Sequence, residues 1–208
     1  MTEASNQPKK IAVIGLGYVG LPVATAFACS GFQVTGYDIK EDRLAALKSG
    51  VDVTASVTAE DLLQDGLNLT NDANDLVDCE IFIVAVPTPI DQAKQPDLKP
   101  FKSAAETVGA IMPKGAIVVF ESTVYPGATE EDCVPLLEEI SGLTLNMDFG
   151  VGYSPERINP GDKTRRLPDI IKVTSGSSAE TADKVDALYA SIVTAGTYRS
   201  ESIRVAEA

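Results

Sequence analysis

Four short runs in this sequence gather residue types able to bind or transform a small ligand. Gly15-Leu-Gly-Tyr-Val-Gly20 spaces three glycines along a tight run. Val86-Pro-Thr-Pro89 holds one hydroxyl, Thr88, between two prolines. Glu121-Ser-Thr-Val-Tyr-Pro-Gly-Ala-Thr129 sets a carboxylate beside the hydroxyls of Ser122 and Thr123. Tyr153-Ser-Pro-Glu-Arg-Ile-Asn-Pro-Gly-Asp162 packs a carboxylate (Glu156), a guanidinium (Arg157) and an amide (Asn159) into a turn-rich stretch. Each run follows a segment that reads as a buried strand.

The glycine run carries the most specific chemistry. Gly15 permits the tight turn, Gly17 lets backbone amides approach a diphosphate, and Gly20 lets the following helix pack against the strand. The positive end of that helix then faces the phosphates. Asp38 closes the second strand, where a carboxylate accepts hydrogen bonds from the adenosine ribose hydroxyls and repels a 2′-phosphate. The expected cofactor is therefore NAD rather than NADP, a preference that Lys40 and Arg43 soften. Glycines alone make a tight turn with no ligand; strand, glycines, helix and acid together select a dinucleotide. The other three runs stay open on residue type alone. Thr88 reaches a ribose or phosphate, or it only sits in a proline-rigid turn. Ser122 and Thr123 face a ligand, or they satisfy local backbone groups. Glu156 is a general base and Arg157 an anion-binding group, or both belong to a salt-bridged loop.

The elements that must position these residues alternate. Lys10–Ile14 is apolar and β-branched, as suits a strand buried on both faces. A helix follows from Gly20 to about Ser30, then a strand over 32–37 and a helix over 41–48. Thr58 opens a short helix with Asp61 as a capping partner. Further strands are expected at 67–70, 81–86, 116–120, 149–153 and 170–174. Further helices are expected at 101–111, 129–140 and 178–193. Residues 87–100 hold four prolines and read as a functional loop. Alternating strands and helices predict an α/β fold, a Rossmann-type doubly wound, mainly parallel sheet. Residues 1–9 read as a disordered lead-in, 10–200 as the dinucleotide-binding domain, and 201–208 as a helix that opens and breaks off uncapped.

Charge and composition narrow the function. The net charge of −13 disfavours nucleic acid as a partner. Cys29, Cys79 and Cys133 are scattered and no histidine is present, so no metal site is expected. Sparse, odd cysteines fit reduced structural thiols and a cytoplasmic location. The polar first residues contain no signal-peptide core, and no apolar run reaches membrane-spanning length, so no membrane role is expected.

Taken in order, Gly15-Leu-Gly-Tyr-Val-Gly-Leu-Pro22, Val86-Pro-Thr-Pro89, Ser122-Thr-Val-Tyr-Pro-Gly127 and Ser154-Pro-Glu-Arg-Ile-Asn-Pro160 resemble the UDP-glucose/UDP-N-acetylhexosamine 6-dehydrogenases. The resemblance covers about residues 10–208. The last run is similar to the bacterial branch that acts on UDP-N-acetylhexosamines for surface polysaccharides. The resemblance implies oxidation of a sugar C6 alcohol to a carboxylate with two NAD⁺, through a cysteine-bound thioester that is then hydrolysed. It implies that Tyr18, Val19, Asp38, Arg43, Thr88 and Thr123 contact NAD. It implies that Thr123 positions a catalytic water and that Glu156 acts in thioester hydrolysis. Glu156, Arg157, Ile158 and Asn159 would lie along a UDP-sugar. The family's catalytic lysine and asparagine belong to the helix that opens near Ser202, and its nucleophilic cysteine to a second domain; none of these is present. The expectation is a cofactor-binding fragment that does not turn over alone, cut from a protein that forms homodimers. UDP-glucose as substrate, another enzyme of the wider dehydrogenase class (hydroxyacid or 6-phosphogluconate type), and a non-catalytic NAD-binding module are the alternatives.

Overall fold

The computed structural model describes residues 10–90, 94, 96–157 and 166–208. The expected lead-in over 1–9 lies outside these. The strands are β1 (Lys10–Ile14), β2 (Gln33–Tyr37), β3 (Leu67–Thr70), β4 (Ile81–Val84), β5 (Ile117–Phe120), β6 (Gly150–Tyr153), β7 (Lys172–Gly176) and β8 (Thr197–Arg199). The helices are α1 (Gly20–Cys29), α2 (Glu41–Lys48), α3 (Ala59–Leu62), α4 (Lys99–Ile111), α5 (Val134–Ser141), α6 (Ala179–Ala190) and α7 (Ile203–Glu207).

One sheet runs β3-β2-β1-β4-β5-β6-β7-β8. The first six strands in that row pair in parallel, β7 turns antiparallel against β6, and β8 pairs parallel to β7. The strand order reverses direction between β1 and β4, the place where doubly wound sheets open a crevice at the carboxyl ends of their strands.

The apolar runs of β1, β4 and β5 bury both faces, and alternation divides them between two cores. Ile11, Val13, Ile81, Ile83, Ile117 and Val119 face one way, toward Phe27 of α1 and Val185, Leu188 and Tyr189 of α6. Ala12, Ile14, Phe82, Val84, Val118 and Phe120 face the other way, toward Phe101 and Val108 of α4, Leu137 of α5 and Ile203 of α7. The Phe101 and Phe120 rings meet at 4.8 Å between centroids.

The structure departs from the sequence expectations at three places. The strand expected at 170–174 forms instead at Lys172–Gly176, because Gly176 and Ser175 pair with Gly152 and Tyr153. β8 was not foreseen; three residues give no legible period. The helix expected to begin at Thr129 opens with a wide π-type turn over Thr129–Cys133 before α5. Pro135 lacks the N–H that a regular ladder would return to that turn.

Among the described glycines, the β1–α1 junction leaves the least room for a side chain. Gly15 has φ +92°, and a Cβ there would lie 2.8 Å from the Ala85 carbonyl oxygen. A Cβ on Gly20 would lie 1.9 Å from the Gly15 carbonyl oxygen. A Gly20→Ala variant is expected to lose about 1–3 kcal/mol of stability in urea unfolding. An unchanged unfolding midpoint would show that the turn yields without cost.

Candidate functional site

The turn that α1 forces onto β1 leaves one position open. A Cβ on Gly17 would meet nothing within 4 Å, in contrast to Gly15 and Gly20. Among the described residues the Gly17 N–H has no hydrogen-bond acceptor. Gly17 and Tyr18 are exposed and Val19 is half-buried, all in the turn that leads into α1. An open backbone cradle at a helix N-terminus fits the diphosphate of a dinucleotide.

Asp38 follows β2 and is fixed by the backbone. Its N–H donates to the Thr70 carbonyl at 3.1 Å. Its carboxylate accepts from Leu16 N–H and Lys40 N–H, each at 2.9 Å. One oxygen is thus tied to the glycine turn and the other to the start of α2. A carboxylate oxygen accepts more than one hydrogen bond, so both retain capacity for ribose hydroxyls. Arg43 reaches the same turn, donating from Nε to the Leu16 carbonyl at 2.9 Å.

Across the β1/β4 crevice, the β4 and β5 loops are locked together. Thr88 Oγ1 donates to the Thr123 carbonyl at 2.5 Å, and Ser122 Oγ donates to the Val86 carbonyl at 2.6 Å. Tyr153 OH, from β6, donates to the Ser122 carbonyl at 3.1 Å. Ser122 is buried and serves structure, whereas Thr123 is exposed at the sheet edge. Thr88 and Thr123 are therefore neighbours, brought together from positions far apart in sequence.

Beneath the β6 loop lies a charged cluster that residue types alone did not reveal. Lys172 is buried, with Nζ 3.1 Å from Glu121 Oε2 and 3.5 Å from Glu156 Oε2. Tyr189 OH donates to the other oxygen of Glu121, and the Lys172 ammonium stands 5.4 Å over the Tyr189 ring. Burial pushes the Glu121 carboxyl upward in pKa; Lys172 and Tyr189 oppose that shift, and Glu156 adds to it. Burial and the neighbouring Glu121 keep the Tyr189 hydroxyl protonated, as its role of donor requires. Glu156 also accepts from the Arg157 N–H at 2.6 Å, while Arg157 itself is exposed. Ile158 and Asn159 lie outside the described residues. The legible sign of this cluster was a lysine at the edge of an apolar strand, which burial obliges to find a carboxylate.

Glu207 is a second residue missed from sequence. It is buried at the end of α7, and its carboxylate accepts from the N–H groups of Gly127 and Thr129, the latter at 2.9 Å. This ties α7 to the loop that carries Thr123. Among the described residues no group of three or more histidine, cysteine or acidic side chains is arranged to hold a metal. No helix there is long and apolar enough to cross a membrane.

The NAD-binding domain of the UDP-glucose/GDP-mannose dehydrogenase family matches residues 9–193. The chain is 56% identical over 200 residues to UDP-N-acetyl-D-glucosamine 6-dehydrogenase of Pseudomonas aeruginosa, covering 96% of this chain and 47% of that one. Its fold superposes on the UDP-D-ManNAc dehydrogenase of Pyrococcus horikoshii with a TM-score of 0.87 at 35% identity, over 95% of this chain and 48% of that one. An NDP-N-acetyl-D-galactosaminuronic acid dehydrogenase from Methanosarcina mazei gives 0.89 at 27% identity, over 97% and 46%. The chain spans about half the length of the curated relatives it matches.

Replacing Lys172 with methionine removes the ammonium that stands between the buried Glu121 and Glu156. The expected loss at pH 8 is about 3–5 kcal/mol. Lys172 holds the Glu121 carboxyl down against burial, so its loss raises that carboxyl further, and the variant regains stability by taking up a proton as pH falls. The penalty should therefore shrink on going from pH 8 toward pH 5. Urea unfolding at both values measures it, and a penalty that does not vary with pH would contradict the assignment.

Proposed function

The chain belongs to the UDP-glucose/GDP-mannose dehydrogenase family, and from that premise we propose that it is the NAD-binding half of a UDP-N-acetylhexosamine 6-dehydrogenase. The observation that carries the cofactor is the open Gly17 cradle beside a backbone-fixed Asp38. Backbone groups of Gly17, Tyr18 and Val19 hold the diphosphate, Gly15 and Gly20 let the turn close beneath it, and Asp38 takes the adenosine ribose. Thr88 and Thr123 stand across the crevice, on the nicotinamide side. NAD⁺, when bound, supplies the hydride acceptor for oxidation at the sugar C6.

The chain's own residues divide the remaining work. Thr123 orients water at the exposed end of β5. Glu156, drawn inward to Lys172, acts on that water during hydrolysis of the acyl group. Arg157, Ile158 and Asn159 lie along the UDP-sugar. Residues 10–200 form the cofactor domain, and 201–208 open the helix that leads to the substrate domain. The choice of an N-acetylhexosamine over glucose is supported by the 56% identity to an enzyme named for UDP-N-acetyl-D-glucosamine. We assign the whole protein to the cytoplasm, to surface polysaccharide synthesis and to a homodimer on the same resemblance.

The thiols of this chain are poor candidates for the family's nucleophile. Cys79 is buried and its pKa is pushed up to about 11 by burial. Cys133 is buried and shifted upward as well, and the exposed Cys29 is also shifted upward by partial burial and Asp61. The attacking form is the thiolate, which all three disfavour. The nucleophile accordingly belongs to the substrate domain.

Calorimetric titration should show NAD⁺ bound at least about ten-fold more tightly than NADP⁺, a difference of about 1.4 kcal/mol. The whole protein should form NADH with a UDP-N-acetylhexosamine, and residues 1–208 alone should form none. Equal affinity for the two cofactors would remove the role given to Asp38. NADH formation by this chain alone would refute the division of labour.

A further inference from the structure

All three donors of the Lys172 ammonium have acceptors inside the protein. Nζ reaches Glu121 Oε2 at 3.1 Å, the Pro155 carbonyl at 3.4 Å and Glu156 Oε2 at 3.5 Å. The Lys172 side chain is 2% exposed, so no donor is left to meet a ligand. Glu121 is braced in turn. It continues the alternation of Ile117 and Val119 toward α6, where the Tyr189 hydroxyl donates to its second oxygen. The Tyr189 ring lies beneath the ammonium at 5.4 Å. The cluster thus joins β5, β7, α6 and the loop after β6.

Stability does not account for such an arrangement, because buried ion pairs add little over apolar packing of the same volume. What the cluster fixes is position. Glu121 stands two residues before Thr123 at the end of β5, and Glu156 three residues after Tyr153 at the end of β6. The two strands are neighbours, with Phe120 opposite Tyr153. Lys172 enters from β7 and bridges the two strand ends. Its nearer partner is Glu121, whose side chain is 0% exposed, and its looser partner is Glu156, at 7%. Glu156 Oε1 accepts from the Arg157 N–H at 2.6 Å. One oxygen of Glu156 is therefore held by its own loop and the other by the bridge.

We propose that Lys172, braced by Glu121 and Tyr189, is a positioning residue: it sets the Glu156 carboxylate against the end of β5 where Thr123 stands, and so governs hydrolysis of the acyl group without touching it. The proposal rests on the functional reading above. In that hydrolysis water bonds to the acyl carbon and the carbon–sulfur bond breaks. The proton that Glu156 takes from water passes to the departing sulfur, leaving an acid and a thiol. Hydride transfer to NAD⁺ precedes this step and lies outside the bridge. Loss of the bridge therefore slows hydrolysis and spares hydride transfer.

The test follows NADH formation by the whole protein after rapid mixing with NAD⁺ and a UDP-N-acetylhexosamine. Lys172→Met should keep a burst of about two NADH per site and lower the steady rate that follows by about a hundred-fold. Glu156→Gln should do the same, and the double variant should be no slower than either single, because both remove one alignment. A merely structural role would cut the burst and the steady rate together, and that outcome overturns the proposal. An unchanged steady rate in Lys172→Met overturns it, as does a double variant in which the two losses multiply. Should Lys172→Met fail to fold, Glu121→Gln combined with Lys172→Met decides, since it removes one buried charge of each sign. That variant should keep the burst and lose the steady rate, and full steady turnover overturns the proposal. Failure of the unsubstituted protein to form NADH is a separate result, which overturns the functional reading and this proposal with it.

Discussion

Gly20 approaches the Gly15 carbonyl so closely that a side chain there would occupy the same space. This contact sets where α1 begins and how far it lies from β1. The rest of the site hangs on that placement. The turn brings Leu16 between Asp38 and Arg43, and leaves Gly17 facing open space. The same turn packs on Ala85 at the end of β4, which starts the loop holding Thr88. A fingerprint glycine is thus a steric requirement at Gly15 and Gly20, and an open position at Gly17 where the proposed diphosphate would lie.

The opposite wall of the crevice is built on a different principle. There, hydroxyls and charges span loops that are distant in sequence. Thr88 holds the Thr123 carbonyl, Tyr153 holds Ser122, and Glu207 holds Gly127 and Thr129. Beneath them, Lys172 compensates two carboxylates in a buried setting. Such a cluster adds little net stability over an apolar core but exacts a large cost when one member is lost. Its benefit is a fixed inward direction for Glu156, beside the exposed Arg157. Glu207 adds a mechanical link, because α7 grips the loop that presents Thr123.

Much of this was legible in the residues, and the rest failed for physical reasons. β1, β4 and β5 are apolar on both faces, so their burial was plain from composition. The glycine turn and Asp38 combine a local pattern with a local geometry, which sequence reports well. β8 has three residues and takes its place from pairing with β7, information its own residues do not carry. The π-type turn before α5 follows from a single proline within an otherwise helical pattern. Lys172 and Glu207 act through partners far along the chain or through backbone N–H groups, and neither kind of partner has a signature in residue spacing. Arg43 was legible as an expected cofactor contact, while its bond to the Leu16 carbonyl was not.

The central claim is that a dinucleotide diphosphate lies against the Gly15–Gly20 turn at the carboxyl edge of the sheet. Mapping backbone amide shifts of the chain as NAD⁺ is added tests this most directly. The account requires the largest changes at Gly15 to Gly20 and Asp38, with smaller ones at Thr88 and Thr123 across the crevice. The opposite edge of the sheet also carries a shallow depression, lined by Lys10, Gln33, Asp65 and Cys79 among others. Shifts centred on that depression, with the glycine turn unmoved, would contradict the account.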